Sequence, residues 1–422
     1  MTEHGTERIL ITDYFCPSNR GDAAIFEGTL HALKACFPNA SFVVHTSYPE
    51  LIPHLHDVEA GYALPKWLPA RITGIGARYL MMWARARRRG VNLPIPHEGL
   101  RRTLRDYEEA DIVVAKGGGY LHDYYGDSRA RLWSYRIARA LGKTVCLSGQ
   151  SIGPLEEPGI RKLAATTFRE IDLIVARDTS TAEVLGGLNL PHTQVELRAD
   201  LAFAMPRGDE NHQSMPRWEA PPEAEQHGSR RLTLSVRDWS QLSPEEEERY
   251  IESFAALADW AAEELGTPCL FLSTCTSLGG YYNDDRLKAA RIAERCQSSP
   301  EIAAFDYDPY EIVRLMTAHS WLHVGTRMHS NVLALLAGVP IVGIAYEPKI
   351  EGLAEAFGLE DYVLDIKEIT AEALIDRVRQ ALDNRQDLAD HIAETLPDVR
   401  ESAMDNARLI RDVYERRQGT TP

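Results

Sequence analysis

Along the first half of the chain, short apolar runs alternate with stretches of helical period. Arg8–Tyr14 has the length and composition of a strand, and a helix capped by Asp22 is expected to run to about Ala35. Ser41–His45, Asp111–Ala115, Thr144–Ser148 and Asp172–Ala176 read as further strands. Helices are expected near Arg129–Leu141 and after Ala176, the latter opened by a capping box, Ser180-Thr181-Ala182-Glu183. Between Pro206 and Arg230 the pattern stops; Pro216, Pro221 and Pro222 stand among polar residues, as in a linker. Alternation then resumes with strands Arg231–Val236, Cys269–Ser273, Ile302–Phe305 and Trp321–Val324, and helices Pro244–Leu265, Asp284–Arg295 and Tyr310–Ala318. From Ala371 to about Arg417 the chain reads as helix, broken at Pro397. Strands alternating with helices predict parallel, doubly wound sheets. The expected fold is α/β, two Rossmann-like doubly wound domains facing a cleft. Their spans are 1–205 and 231–395, with a linker at 206–230 and a C-terminal helix at 396–422. There is no internal sequence repeat.

A chain of 422 residues exceeds what one core usually supports, near ~250–300 residues, which agrees with two domains. The net charge of −16 argues against a nucleic-acid binder, so an anionic ligand must be caught by locally placed Arg and Lys. Six scattered cysteines without a CxxC pair suit free thiols in a reducing cytoplasm. Met1–Arg8 is polar and unlike a signal peptide, and no apolar run approaches the ~20 residues of a bilayer span. The expected location is cytoplasmic. Segment 66–105 departs from the rest: Arg71, Arg78, Arg85, Arg87, Arg88, Arg89, Arg101, Arg102 and Arg105 face a single carboxylate, Glu98. Tyr79–Trp83 interrupts them, and Arg71, Arg78 and Arg85 recur at sevens, on one helical face. Such a stretch fits either a solvated face or an anionic membrane surface. Gly74 and Gly76 weaken a helix there.

The densest chemistry lies between Val324 and Lys349. A buried strand ends at Gly325, Thr326-Arg327-Met328-His329-Ser330 opens a helix, and a second apolar strand follows Gly338-Val339-Pro340. In open α/β sheets ligands bind at the carboxyl ends of strands, and a helix N-terminus favours phosphate. This reads as a site for a phosphorylated donor, with Arg327 and Lys349 as clamps, Thr326 at the turn and His329 as proton carrier. The plainer alternatives are an Arg paired with a nearby carboxylate and a His that only fills space. Gly117, Gly118 and Gly119 after a strand serve either ligand contact or a tight turn; they match neither GxGxxG nor a P-loop. Asp306-Tyr307-Asp308 imitates a metal-holding DxD, but Asp308 before Pro309 with Glu311 three on is a helix start. His45, His54, His56, His97, His192, His212 and His227 lack ligand spacing, and no metal is expected.

Several short motifs in fixed order resemble the polysaccharide pyruvyl transferase family. They are Asn19-Arg20-Gly21-Asp22-Ala23-Ala24, Lys116-Gly117-Gly118-Gly119-Tyr120-Leu121-His122-Asp123, Gly149-Gln150-Ser151-Ile152-Gly153-Pro154, Ala176-Arg177-Asp178, Asp200-Leu201-Ala202-Phe203, Thr326–Ser330 and Gly338–Pro340. The resemblance implies a fold similar to type-B glycosyltransferases, with the acceptor on the first domain and the donor on the second. It implies transfer of an enolpyruvyl-derived group from phosphoenolpyruvate, a donor substrate needing no cofactor, onto a sugar of a surface polysaccharide or its lipid-linked precursor, as a pyruvate ketal. In that setting Arg177 joins Arg327 and Lys349 in holding the donor's two anions, His329 protonates its methylene carbon, and Asp22 or Asp123 takes the hydroxyl proton. Asn19, Gly21 and Gly117–Gly119 become acceptor or loop positions. A lipid-linked acceptor would bring segment 71–105 to the inner membrane surface. The alternatives are a glycosyltransferase using a nucleotide sugar and a catalytically silent sugar-binding subunit.

Overall fold

In the computed structural model, residues 6–68, 73–123, 127–206, 230–277, 283–303 and 307–419 are described. They fall into two compact α/β units: residues 17–24 and 230–400 make the second, and the others the first.

The first unit is built on strands β1 (Arg8–Tyr14), β2 (Ser41–Thr46), β3 (Glu59–Tyr62), β4 (Ile112–Ala115), β5 (Gly118–Leu121), β6 (Thr144–Ile152), β7 (Leu173–Ala176) and β8 (Gln194–Leu197). The order is β3-β2-β1-β4-β6-β7-β8, with β5 beside β6, and every pairing is parallel. Strands β1, β4, β6 and β7 are buried along almost their whole length. That is why their sequences are unbroken apolar runs without alternation. The order reverses between β1 and β4. There Lys116 donates its backbone N–H to Thr12 at 3.0 Å.

The second unit carries β9 (Arg231–Ser235), β10 (Leu270–Phe271), β11 (Glu301–Ile302), β12 (Ser320–Gly325), β13 (Ile341–Ala345) and β14 (Val363–Asp365). Their order is β11-β10-β9-β12-β13-β14, again all parallel. Here the reversal lies between β9 and β12, so the turn opened by Thr326 stands at a switch point, where ligand sites form.

Several local expectations change. Asn19, not Asp22, caps helix Arg20–Cys36: its Oδ1 accepts the Asp22 N–H at 3.2 Å. Asp22 sits inside the first turn, where a carboxylate suits the dipole. The helix after β7 starts two residues earlier than the Ser180 capping box requires. Asp178, in extended backbone, caps it by accepting from Thr181 at 2.7 Å. Pro397 does not break the last helix, which runs unbroken over Arg385–Gly419. A proline there removes one intrahelical donor, but Ile392, Ala403, Ala407 and Ile410 are buried along the same helix and hold it. Gly74 and Gly76 lie within helix Thr73–Arg88 for the same reason, since its Ala77, Leu80, Met81 and Ala84 are in the core. Linker residues 207–229, together with Arg71, Phe305 and Asp306, lie outside the described residues.

Candidate functional site

Gly325 ends β12 because no larger residue fits there: a Cβ would lie 2.1 Å from Asn331 Oδ1. Asn331 closes the turn by donating its amide to the Gly325 carbonyl at 3.0 Å. Thr326 is buried; its N–H donates to Ser235 at 2.8 Å and its hydroxyl meets the Tyr250 hydroxyl at 2.7 Å. Beneath the turn, His323 is enclosed between Thr233 Oγ1 at 3.0 Å and Ser330 Oγ at 3.0 Å, and Ser330 Oγ donates to the Arg327 carbonyl at 2.7 Å. This scaffold orients the first turn of helix Met328–Leu336.

Burial pushes the His323 imidazole from its ordinary 6.5 down to about 3. The unfolded chain therefore binds a proton that the folded one refuses between those values, and stability falls as pH drops below about 6.5. A denaturant series should show a loss of roughly 1.4 kcal/mol per pH unit from this residue. His323→Asn should remove that slope.

Arg327 is held by Asp285, which heads helix Asp285–Ala293. Its Nη2 donates to Oδ1 at 2.6 Å and its Nε to Oδ2 at 3.1 Å. Only 2% of the Asp285 side chain is exposed, and it also accepts the Cys275 N–H at 3.2 Å. Burial raises the Asp285 carboxyl above its ordinary value despite the opposing pull of Arg327. Lys349, just past β13, pairs with Glu347 at 2.5 Å and stands 4.8 Å from the centre of the Tyr346 ring. Burial alone would depress its ammonium, but Tyr346 and Glu347 outweigh that and the net shift is upward.

Sequence reasoning missed Arg237. It lies two residues past the end of β9, and its guanidinium lies 4.1 Å from the centre of the Tyr346 ring and 4.7 Å from that of Trp239. The strand-end rule that singled out Arg327 applies equally to it, and Trp239 two residues on was the further signal. Asp285 feels Arg237 as well as Arg327, and Tyr346 feels Lys349, Arg237 and Arg327. The three cations thus share one patch at the carboxyl ends of β9, β12 and β13. Burial would raise the Tyr346 phenol, but Lys349 and Arg237 overcome this and lower it.

His329 is half-buried on the helix's first turn. Residues 17–24, a short loop and the first turn of helix Arg20–Cys36, pack on this same unit. Arg20 donates its N–H to Thr274 at 2.8 Å, and Asn19 forms an antiparallel bridge with Cys275. Gly21 faces the imidazole so closely that a Cβ would be 2.5 Å from His329 Nδ1. Asn19, Gly21 and Asp22, expected with the first domain, therefore belong to the second unit, with Gly21 against His329.

The remaining candidates belong to the first unit. Only 2% of the Arg177 side chain is exposed, with Nη1 on Asp200 at 2.6 Å and Nε on Ser151 at 2.8 Å, so its guanidinium already holds a buried ion pair. Asp123 accepts the Glu156 and Glu157 N–H groups at 2.5 and 3.0 Å, which fixes the loop after β6. A Cβ on Gly117 would lie 2.8 Å from the Gly149 carbonyl, so close packing of backbone on backbone requires that glycine. Gly118 takes a φ of +154°, and Gly119 has room around it. Near the β1–β4 reversal Asp13, at φ +68°, binds Arg131 at 2.5 Å and the Tyr135 hydroxyl at 2.6 Å. Periodicity gave no sign of this buried network.

Asp308 caps helix Pro309–His319 through a full capping box with Glu311. Among the described residues no three His, Cys, Asp or Glu are grouped to hold a metal ion.

The model of the polysaccharide pyruvyl transferase family matches residues 19–348. The amylovoran biosynthesis protein AmsJ of Erwinia amylovora is 23% identical over 408 residues, covering 93% of this chain and 96% of that protein. Among solved structures, the UDP-GlcNAc 2-epimerase from Neisseria meningitidis bound to UDP-GlcNAc is similar, with a TM-score of 0.57 and 11% identity. That match covers 96% of this chain and 100% of the epimerase. A glycosyltransferase from Rickettsia africae matches with a TM-score of 0.55 and 12% identity over 99% of this chain and 100% of its own. At these identities the likeness shows the fold alone, that of type-B glycosyltransferases and related epimerases.

Proposed function

The chain belongs to the polysaccharide pyruvyl transferase family, and from that premise we propose that it moves the pyruvyl group of phosphoenolpyruvate onto a sugar of a surface polysaccharide or its lipid-linked precursor. The observation that carries the reading is the cluster of Arg237, Arg327 and Lys349 around the switch point of the second sheet, with His329 on the adjoining helix turn. In a chain of net charge −16, three cations at one strand edge are a local anion trap. Phosphoenolpyruvate offers both a phosphate and a carboxylate, and guanidinium groups grip either with paired hydrogen bonds.

In the proposed reaction His329 delivers a proton to the methylene carbon, which becomes the methyl group. The electron-poor C2 accepts one sugar hydroxyl, the C2–O bond to phosphate breaks, and a second hydroxyl closes the ketal. Of the two hydroxyl protons, one replaces that given up by His329 and the other leaves on phosphate. Asp22 is the better base of the two carboxylates singled out. It adjoins the glycine that abuts His329, whereas Asp123 holds two backbone amides. Catalysis in the cytoplasm suits both the donor and the free thiols.

The test is made in cells lacking the gene. Their surface polysaccharide should lose the methyl resonance of a pyruvate ketal, regain it with the wild-type chain, and not regain it with His329→Ala. Full ketal content without the gene would refute the assignment.

A further inference from the structure

Helix Thr73–Arg88 has two faces of different character. Ala77, Leu80, Met81 and Ala84 are buried in the first unit's core, where the helix packs on Ser128–Ala140. On the opposite face Ile75, Arg78, Met82 and Arg85 follow one another at intervals of three, four and three, and all four are exposed. Arg89 continues the series four residues on, in the turn that ends the helix. The apolar members are far out in solvent: Ile75 is 77% exposed and Met82 51%, with Val91 beyond the turn at 52%. These are three of the six exposed large hydrophobic residues among the described residues, and they fall within one short segment.

The arginines of the segment divide. Arg87 is taken up by Glu108 and Asn92, Arg102 by Glu98, and Arg88 lies against Gly142. None of Arg78, Arg85 and Arg89 forms an ion pair among the described residues. A basic stripe with interleaved exposed apolar side chains is improbable as a plain solvated face on a chain of net charge −16. Ile75 and Met82 gain nothing from water, and three unpaired positive charges gain most from a surface of opposite sign.

We propose that this face of helix Thr73–Arg88 docks the protein on an anionic lipid bilayer, with Arg78, Arg85 and Arg89 among the headgroups and Ile75 and Met82 reaching below them. The stripe belongs to the first unit and shares no residue with the cation cluster and His329 of the second, so the two readings are tested separately.

The test is co-sedimentation of the full chain with vesicles of phosphatidylglycerol and phosphatidylcholine, against phosphatidylcholine alone. The wild type should bind only the anionic vesicles and lose binding as salt rises. Arg78→Gln with Arg85→Gln and Arg89→Gln should weaken partitioning on the order of a hundredfold at low salt. Ile75→Ser with Met82→Ser should weaken it as well, at all salt concentrations. A control changing Arg295, Arg379 and Arg408 to Gln, with the same loss of charge elsewhere, should bind as the wild type does. Absence of wild-type binding to anionic vesicles, equal binding by the Arg78–Arg85–Arg89 variant, or equal loss in the control would overturn the proposal.

Discussion

His329→Ala is expected to lower pyruvyl transfer by about 10²–10⁴-fold, the usual contribution of a positioned proton donor, while leaving the protein folded. The imidazole is half-buried and stands on the first turn of helix Met328–Leu336, so little core is lost with it. The buried histidine of the preceding strand is different. His323 joins Thr233 to Ser330 within the core, and substitution there costs stability before it costs chemistry. Gly21→Ala offers a subtler version of the first experiment. Its new methyl group would have to displace the His329 ring, since it starts 2.5 Å from Nδ1. Turnover should fall while donor affinity changes less, because the cations proposed to bind the donor sit on other residues. A His329→Ala enzyme as fast as wild type would remove the proton-transfer role altogether.

The second large effect is on stability. Asp285→Ala should destabilise the second unit by about 3–5 kcal/mol, the range measured when one partner of a buried ion pair is removed. The Arg327 guanidinium would lose its carboxylate inside the unit, and the Cys275 N–H would lose an acceptor. Pairing Asp285→Ala with Arg327→Met should restore part of the loss, since an apolar side chain of similar length carries no buried charge. Urea unfolding of the three variants measures this directly. On the proposed function, Arg327→Ala should lower stability and donor affinity together, whereas a guanidinium serving the donor alone would lower only affinity.

Much of this architecture can be read from unbroken apolar runs. Parallel strands buried on both faces, such as Ile112–Ala115 and Leu173–Ala176, leave a strong signal, and the Gly325–Thr326 turn follows from a strand giving way to a helix. Short or half-exposed strands such as Glu59–Tyr62 and Gln194–Leu197 carry almost none, because their periodicity has no length in which to show. The candidate cluster was legible where chemistry and local structure coincide, at Arg327, His329 and Lys349. It was illegible where partners come from far along the chain. Nothing near Arg327 in sequence points to Asp285, and nothing near His329 points to Gly21. Arg177 shows the converse. Its strand-end position is the same as that of Arg327, and its Asp200 partner, 23 residues on, holds it in a more deeply buried ion pair than Asp285 holds Arg327.

The most direct test of the donor assignment is thermal unfolding with phosphoenolpyruvate and, separately, UDP, for the wild type and Arg237→Ala. At ~100 times its dissociation constant a ligand adds ~2.7 kcal/mol of stability. Phosphoenolpyruvate should raise the wild-type midpoint, UDP should not, and Arg237→Ala should lose most of the shift without unfolding earlier by itself. A shift with UDP and none with phosphoenolpyruvate would contradict the account and make the same strand edge a nucleotide-sugar site.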